Sequence, residues 1–283
     1  MFMKKKSQKK NERIFLLNKV LGFAAVVIMI VAMGYVIVSE HHPSTAVKAE
    51  KQTTEKVQTT TSSSSEKKTS TSTKKIKNKL PDVQADDWEL LLVGPDYKLN
   101  QEIDEATQLT ALDNGYMIDK RIKTNYEEFE KAAETAGFPL VMVSAYRSVS
   151  SQQAVFSQNV QEVMSSKGVS EDEATKITKQ TITVPGYSEH HTGLAVDVVD
   201  HNWYNNYTSQ LLDESYGDQP GAKWIAENAP KFGFIIRYPK NRQDITKITY
   251  EPWHLRYVGK ESAEYITKHN LTLEEYLNQL KEK

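Results

Sequence analysis

The sequence predicts an α+β domain over residues 81–283, preceded by a segment that does not belong to it. Three observations carry this reading. Short apolar runs of strand length recur: PLVMVSAY (139–146), LAVDVV (194–199) and FIIRY (234–238). Between them lie stretches whose apolar residues return at helical spacing and stop at glycine. Near residue 80 the composition changes abruptly from Ser/Thr/Lys-rich to globular.

The N-terminus is basic, with Lys4, Lys5, Lys6, Lys9, Lys10, Arg13 and Lys19. It is followed by VLGFAAVVIMIVAMGYVIV (20–38), which carries no charge. As a helix that run is long enough to cross a bilayer core of roughly 30 Å. Residues 1–19 then read as a cytoplasmic tail and 20–38 as a transmembrane anchor, with the rest outside the cell. A cleaved signal peptide is the alternative. The stretch VKA ending at Ala49 has suitably small residues, but the apolar run is longer than a usual signal core. Residues 39–80, for example QTTTSSSSEKKTSTSTKK, have too few apolar groups to fold. They are expected to be a disordered tether spanning about 35 Å on average.

Within the domain, WELLLVG (88–94) reads as a strand. Tyr126, Phe129, Ala133 and Ala136 mark a helix that stops at Gly137. After the strand 139–146, Phe156, Val160 and Val163 fall on one face of a helix ending at Gly168. A short helix over 171–179 follows, then the strand LAVDVV. GAKWIAENAPKFG (221–233) reads as a helix, FIIRY as a strand, and ITYEPWHLRYV (248–258) as a strand interrupted by Pro252. The end is helical, and Thr272 with Glu275 fits a capping box.

Charge and composition exclude several functions. Residues 1–80 hold 16 Lys/Arg against 5 Asp/Glu, whereas residues 81–283 hold 20 against 32. An acidic globular part argues against a nucleic-acid partner. The chain has no cysteine, so disulfides, thiolate metal sites and a cysteine nucleophile are all ruled out. A serine acyl-enzyme hydrolase of one common type would need an S-x-x-K nucleophile. Matches at Ser64, Ser65 and Ser72 fall in the low-complexity tether, and no K-T-G is present. Nothing in the sequence assigns an oligomeric state.

Three stretches invite chemistry. In SEHHTGLAVD (188–197), alternation along the strand puts Ala195, Asp197 and Val199 on one face, away from Leu194, Val196 and Val198. A loop containing Gly193 can bring His190 back toward Asp197; a salt-bridged or surface pair is the plain alternative. In EPWH (251–254), a bulge at Pro252 would let Glu251 and His254 face one site; otherwise His254 is a packed histidine. In SAYRS (144–148), Arg147 lies just before a helix, where the positive helix end disfavours a cation.

Taken together, SAYRSVSSQ, PGYSEHHTGLAVDV, GFIIRYP and EPWHLRYVG, in that order and spacing, resemble the VanY-like D-alanyl-D-alanine carboxypeptidases. These are zinc peptidases related to the lysostaphin and Hedgehog folds. The resemblance covers about residues 85–280. It implies a small central antiparallel sheet with flanking helices and a zinc site on the sheet. By the same resemblance His190, Asp197 and His254 bind one Zn2+ per chain, leaving a fourth position for water. Glu251 is the implied base and Arg147 the oxyanion stabiliser. Ser188 is the implied partner of the substrate carboxylate, and Gln152 and Tyr187 are pocket-lining residues. The implied reaction removes the C-terminal D-alanine from peptidoglycan stem peptides. An L,D-carboxypeptidase that trims tetrapeptide stems shares the same motifs. A non-enzymatic module with a vestigial zinc site would typically have lost the base, and Glu251 is present. Two departures stand out: His191 replaces a frequent glutamine, so it is not an expected ligand, and Lys247 replaces a common glycine.

Overall fold

The computed structural model describes residues 79–208 and 210–283. The tail, the anchor and nearly all of the tether expected from the sequence lie outside the described residues. Among the described residues no helix is long and apolar enough to cross a membrane.

The domain is α+β. A two-stranded antiparallel sheet comes first, with β1 (Leu109–Ala111) and β2 (Met117–Asp119) following the single-turn helix α1 (Glu105–Gln108). Then come α2 (Lys123–Thr135), β3 (Leu140–Ser144), α3 (Val149–Lys167), α4 (Glu171–Thr178), β4 (Ala195–Asp200) and α5 (His201–Asn206). The chain continues through α6 (Pro220–Asn228), β5 (Phe234–Ile236), α7 (Gln243–Thr246), β6 (His254–Tyr257), α8 (Lys260–His269) and α9 (Leu273–Lys281). Strands β3, β4, β6 and β5, in that order, form the main antiparallel sheet.

Strand β4 lies between β3 and β6, and all six of its residues are buried. Its valines join the main core with Tyr126 and Phe129 of α2, Ile225 of α6 and Phe234 of β5. Each such side chain contributes about 1.5–3 kcal/mol on burial. Helices α8 and α9 close a second core around Ile266, Leu273, Tyr276 and Leu277. Phe156 and Val160 of α3 pack on Ala174 of α4, with Val163 partly buried beside them. The remaining stripe of α3, at Gln152, Val155 and Asn159, follows helical spacing and lines a cavity. Ser148 caps α3 by accepting from Ser151 N (3.1 Å), and Gly168 ends it in the left-handed conformation.

Three expectations need correction. WELLLVG is not a strand: Trp88–Leu90 is a single 3-10 turn, and Leu91 is exposed. The carbonyls of Glu89 and Leu91 accept from the Arg256 guanidinium (3.0 and 2.7 Å), so a side chain takes the place of a partner strand. The strand expected over 248–258 is confined to His254–Tyr257. Glu251 to His254 is a tight turn in which His254 N donates to Glu251 O (3.2 Å), with Pro252 at its favoured second position. The helix expected over 221–233 ends at Asn228 and passes into a 3-10 turn, Ala229–Phe232, where Pro230 supplies no backbone N–H. Lys247 adopts φ 64, a left-handed conformation that glycine takes at no steric cost.

The capping box of α9 is present. Thr272 Oγ1 accepts from Glu275 N (3.2 Å), and Glu275 Oε2 accepts from Thr272 N (2.8 Å). Thr272→Ala is therefore expected to lower stability by about 1 kcal/mol in urea unfolding, because the Glu275 backbone donor at the helix end loses its acceptor.

Candidate metal centre and active site

The site is assembled by sheet register. In the β4–β6 pair, Asp197 lies directly opposite His254, and directly opposed residues project on the same face. His190 arrives from the 3-10 turn Glu189–Thr192, whose last step is Gly193 in the left-handed region (φ 68). A Cβ there would come within 2.8 Å of Asp119 N, so only glycine lets this turn lie against β2. Arg147 N donates to His190 O (3.1 Å), which fastens the exit of β3 to the same turn.

The result is a close cluster. His190 Nε2 is 3.2 Å from Asp197 Oδ2, and His254 Nδ1 is 3.1 Å from Asp197 Oδ1. One ligand atom from each of His190, Asp197 and His254 lies within 4.8 Å of the others, and all three residues are buried. The outward nitrogens are already engaged. His190 Nδ1 donates to Ala145 O (2.8 Å), and His254 Nε2 donates to Glu189 Oε2 (3.3 Å). In the neutral rings the lone pairs of His190 Nε2 and His254 Nδ1 therefore face Asp197. Asp197 Oδ1 is buried and accepts no hydrogen bond. Tetrahedral zinc, with bonds of about 2.0–2.1 Å, separates its ligand atoms by about 3.3–3.4 Å. Two imidazoles and a carboxylate at 3.1–3.2 Å, with one carboxylate oxygen left without a donor, fit that ion.

The electrostatics favour a cation. Burial opposes charge on Asp197, but His190 and His254 overcome it and hold the carboxyl well below its usual range. Burial also works against charge on His254, but the carboxylates Asp197 and Glu189 beside it reverse this and lift it to about 10 in the metal-free site, so a cation bound there replaces the proton on Nδ1. Glu251 Oε2 is 3.6 Å from His254 Nδ1, outside the ligand trio. Burial, then the neighbouring carboxylates Asp197 and Glu189, push Glu251 up to about 8 against the pull of His254.

A cavity of about 320 Å³ opens onto this cluster, lined by Arg147, Gln152, Ser188, Glu251, Trp253 and Tyr238 among others. That volume suits a short peptide end. Arg147 donates through Nη1 to Gln152 Oε1 (2.7 Å) and through Nη2 to Ser144 Oγ (2.7 Å), which fixes the guanidinium plane. Gln152 in turn donates to Thr183 O (2.7 Å). Ser188 Oγ accepts from His190 N (3.3 Å) and keeps its own proton to donate. Tyr187 is half-buried and is not among the residues lining the cavity. His191 accepts from Gly186 N (3.1 Å) and donates through Nδ1 to Arg147 O (2.7 Å), so both ring nitrogens are spent on loop structure.

Glu189 was not anticipated from the sequence. It is fully buried, and its Oε1 accepts from Arg237 Nε and Arg256 Nη1, both at 2.7 Å. Arg237 also binds Glu274 through two contacts (3.0 and 2.7 Å). The signal was available. An arginine inside each of the apolar runs FIIRY and HLRYV demands a buried counter-charge, and Glu189 adjoins the first expected ligand.

Comparison with known proteins agrees with this geometry. Residues 115–260 match the family model described as VanY: D-alanyl-D-alanine carboxypeptidase. The chain is 39% identical over 201 residues to the putative carboxypeptidase YodJ of Bacillus subtilis, covering 68% of each chain. It is 36% identical over 192 residues to a D-alanyl-D-alanine carboxypeptidase of Enterococcus faecalis, covering 68% of this chain and 66% of that one. Among solved structures, a vancomycin-resistance D,D-pentapeptidase VanY variant in complex with Zn(II) superimposes with TM-score 0.59. It is 35% identical, and the match covers 68% of this chain and 99% of that one. The LdcB LD-carboxypeptidase superimposes with TM-score 0.56 at 36% identity, covering 68% and 88%.

Proposed function

The chain belongs to the VanY family of D-alanyl-D-alanine carboxypeptidases, and we propose that it hydrolyses the terminal peptide bond of peptidoglycan stems, releasing D-alanine. The observation that carries this reading is the Asp197–His254 register, which sets two donors on one face with His190 completing the trio beside Glu251. His190, Asp197 and His254 would hold zinc. The ion would supply Lewis acidity toward the scissile carbonyl and the attacking water.

The remaining work belongs to the side chains. Glu251 takes a proton from the attacking water and returns it to the amine nitrogen of the departing D-alanine as the C–N bond breaks. Arg147, fixed in plane by Gln152 and Ser144, presents its remaining N–H groups to the carbonyl oxygen as negative charge develops there. Ser188 donates to the substrate's terminal carboxylate. Gln152 acts through Arg147, and Trp253 and Tyr238 give the pocket its apolar wall.

The N-terminal segment supports a location. A basic flank followed by the uncharged run 20–38 suits a single-pass anchor, and the tether 39–80 would let the domain reach the wall from the outer face of the membrane. In this reading the partners are the membrane and the stem peptide.

Mass spectrometry of stem peptides incubated with the full chain tests the reaction. A pentapeptide ending in D-Ala-D-Ala should lose one alanine, a chelator should stop the loss, and a tetrapeptide should stay intact. Shortening of the tetrapeptide alone would favour the L,D reaction, to which the LdcB likeness points.

A further inference from the structure

We infer that Glu189 is a positioning residue for His254: it fixes which ring nitrogen carries the proton and so aims the Nδ1 lone pair into the cation site. The inference rests on the reading that His190, Asp197 and His254 hold zinc.

The geometry leaves Glu189 little choice. Its Oε1 is claimed by two guanidinium groups, Arg237 Nε and Arg256 Nη1, each at 2.7 Å. Its Oε2 faces His254 Nε2 at 3.3 Å. Both arginines are wholly buried and themselves held, Arg237 by Glu274 and Arg256 by the carbonyls of Glu89 and Leu91. The carboxylate therefore cannot rotate without stripping a buried charge of its partner. Two guanidinium donors on one oxygen hold Glu189 as a carboxylate. An ionised carboxylate only accepts hydrogen bonds. His254 Nε2 must then carry a proton, which leaves Nδ1 as the nitrogen that gives its lone pair to a cation. The opposite tautomer would set two acceptors face to face at Glu189. A carboxylate behind a ligating imidazole orients the ring and raises its basicity.

The amide isostere reverses the instruction. In Glu189→Gln the oxygen stays with the two arginines, which only donate, so the NH2 turns to His254 Nε2. The imidazole proton is then driven onto Nδ1, into the cation site. Zinc affinity of the full chain, measured by competition with a chromophoric chelator, should fall about 10–100-fold. The electronic spectrum of the cobalt-substituted protein should change with it. Glu274→Gln is the control. It disturbs Arg237 from the far side without touching His254, and it should lower thermal stability while leaving zinc affinity unchanged.

Equal zinc affinity in Glu189→Gln and wild type would overturn the inference. So would equal losses in Glu189→Gln and Glu274→Gln, which would make Glu189 only a part of the buried framework. If Glu189→Gln does not fold, NMR of the zinc-loaded wild type decides instead. A His254 Nε2 proton protected from solvent exchange is expected, and a freely exchanging one would refute the role. Failure of the wild-type chain to bind zinc would overturn the metal reading itself, a separate result.

Discussion

Glu251→Gln is expected to lower kcat by about 10²–10⁴-fold while the protein still binds zinc. The substitution keeps side-chain volume and the turn that presents it, in which Glu251 N donates to Tyr238 O (3.1 Å). It removes only the ability to take and return a proton. The same change should have a second, opposite effect on the metal-free protein. There the folded pKa of Glu251 is about 8, raised chiefly by burial from an ordinary 4.5. A carboxyl raised in this way binds its proton more tightly when folded. Its contribution is fully present below the unfolded value and is lost as pH rises through the folded one. Metal-free Glu251→Gln should therefore gain thermal stability over wild type at pH 8 and little at pH 5. Activity within about tenfold of wild type, with zinc bound, would remove Glu251 from the chemistry.

Asp197→Asn should cost the zinc itself. Asp197 is the one ligand that touches both histidines, at 3.2 Å and 3.1 Å, and its charge is what makes the trio attractive to a cation. Loss of an outer partner typically costs about 10–100-fold in metal affinity, and loss of this ligand should exceed that. Peptide hydrolysis should drop to the level of chelated wild type. The metal-free fold should weaken as well. The carboxyl of Asp197 is held well below its usual range, chiefly by His190 once the opposing effect of burial is overcome. A depressed carboxylate contributes stability above its unfolded pKa of about 3.9 and loses it as pH falls through the folded value. The asparagine variant should thus be less stable at neutral pH, and the gap should close in acid. Metal analysis after dialysis and thermal unfolding across pH would read both effects; one zinc per chain retained by the variant would argue against Asp197 as a ligand.

Much of the site was legible in the residues because sheet geometry is periodic. The alternation in LAVDVV separates Asp197 from Val196 and Val198, and the register then brings His254 opposite it. The α3 helix was legible at its C-terminal end, through Gly168. What the sequence hides is where polar atoms find partners across the chain. WELLLVG has strand composition, yet its carbonyls bind Arg256 from β6. EPWH has the look of a broken strand, yet Pro252 builds a turn that sets Glu251 3.6 Å from His254 Nδ1. Glu189 stood beside an expected ligand and was passed over, because the two arginines that fix its role come from β6 and the residue after β5. The hairpin β1–β2 was also missed, although Asn114-Gly115 is a turn signal, with Gly115 at φ 84.

X-ray absorption at the zinc edge, on the full chain loaded with one equivalent of zinc, bears most directly on the convergence of His190, Asp197 and His254. Expected are two imidazole nitrogens and a carboxylate oxygen at about 2.0–2.2 Å, with one further light-atom position. A spectrum lacking imidazole scattering, or a chain that retains no zinc, would contradict it.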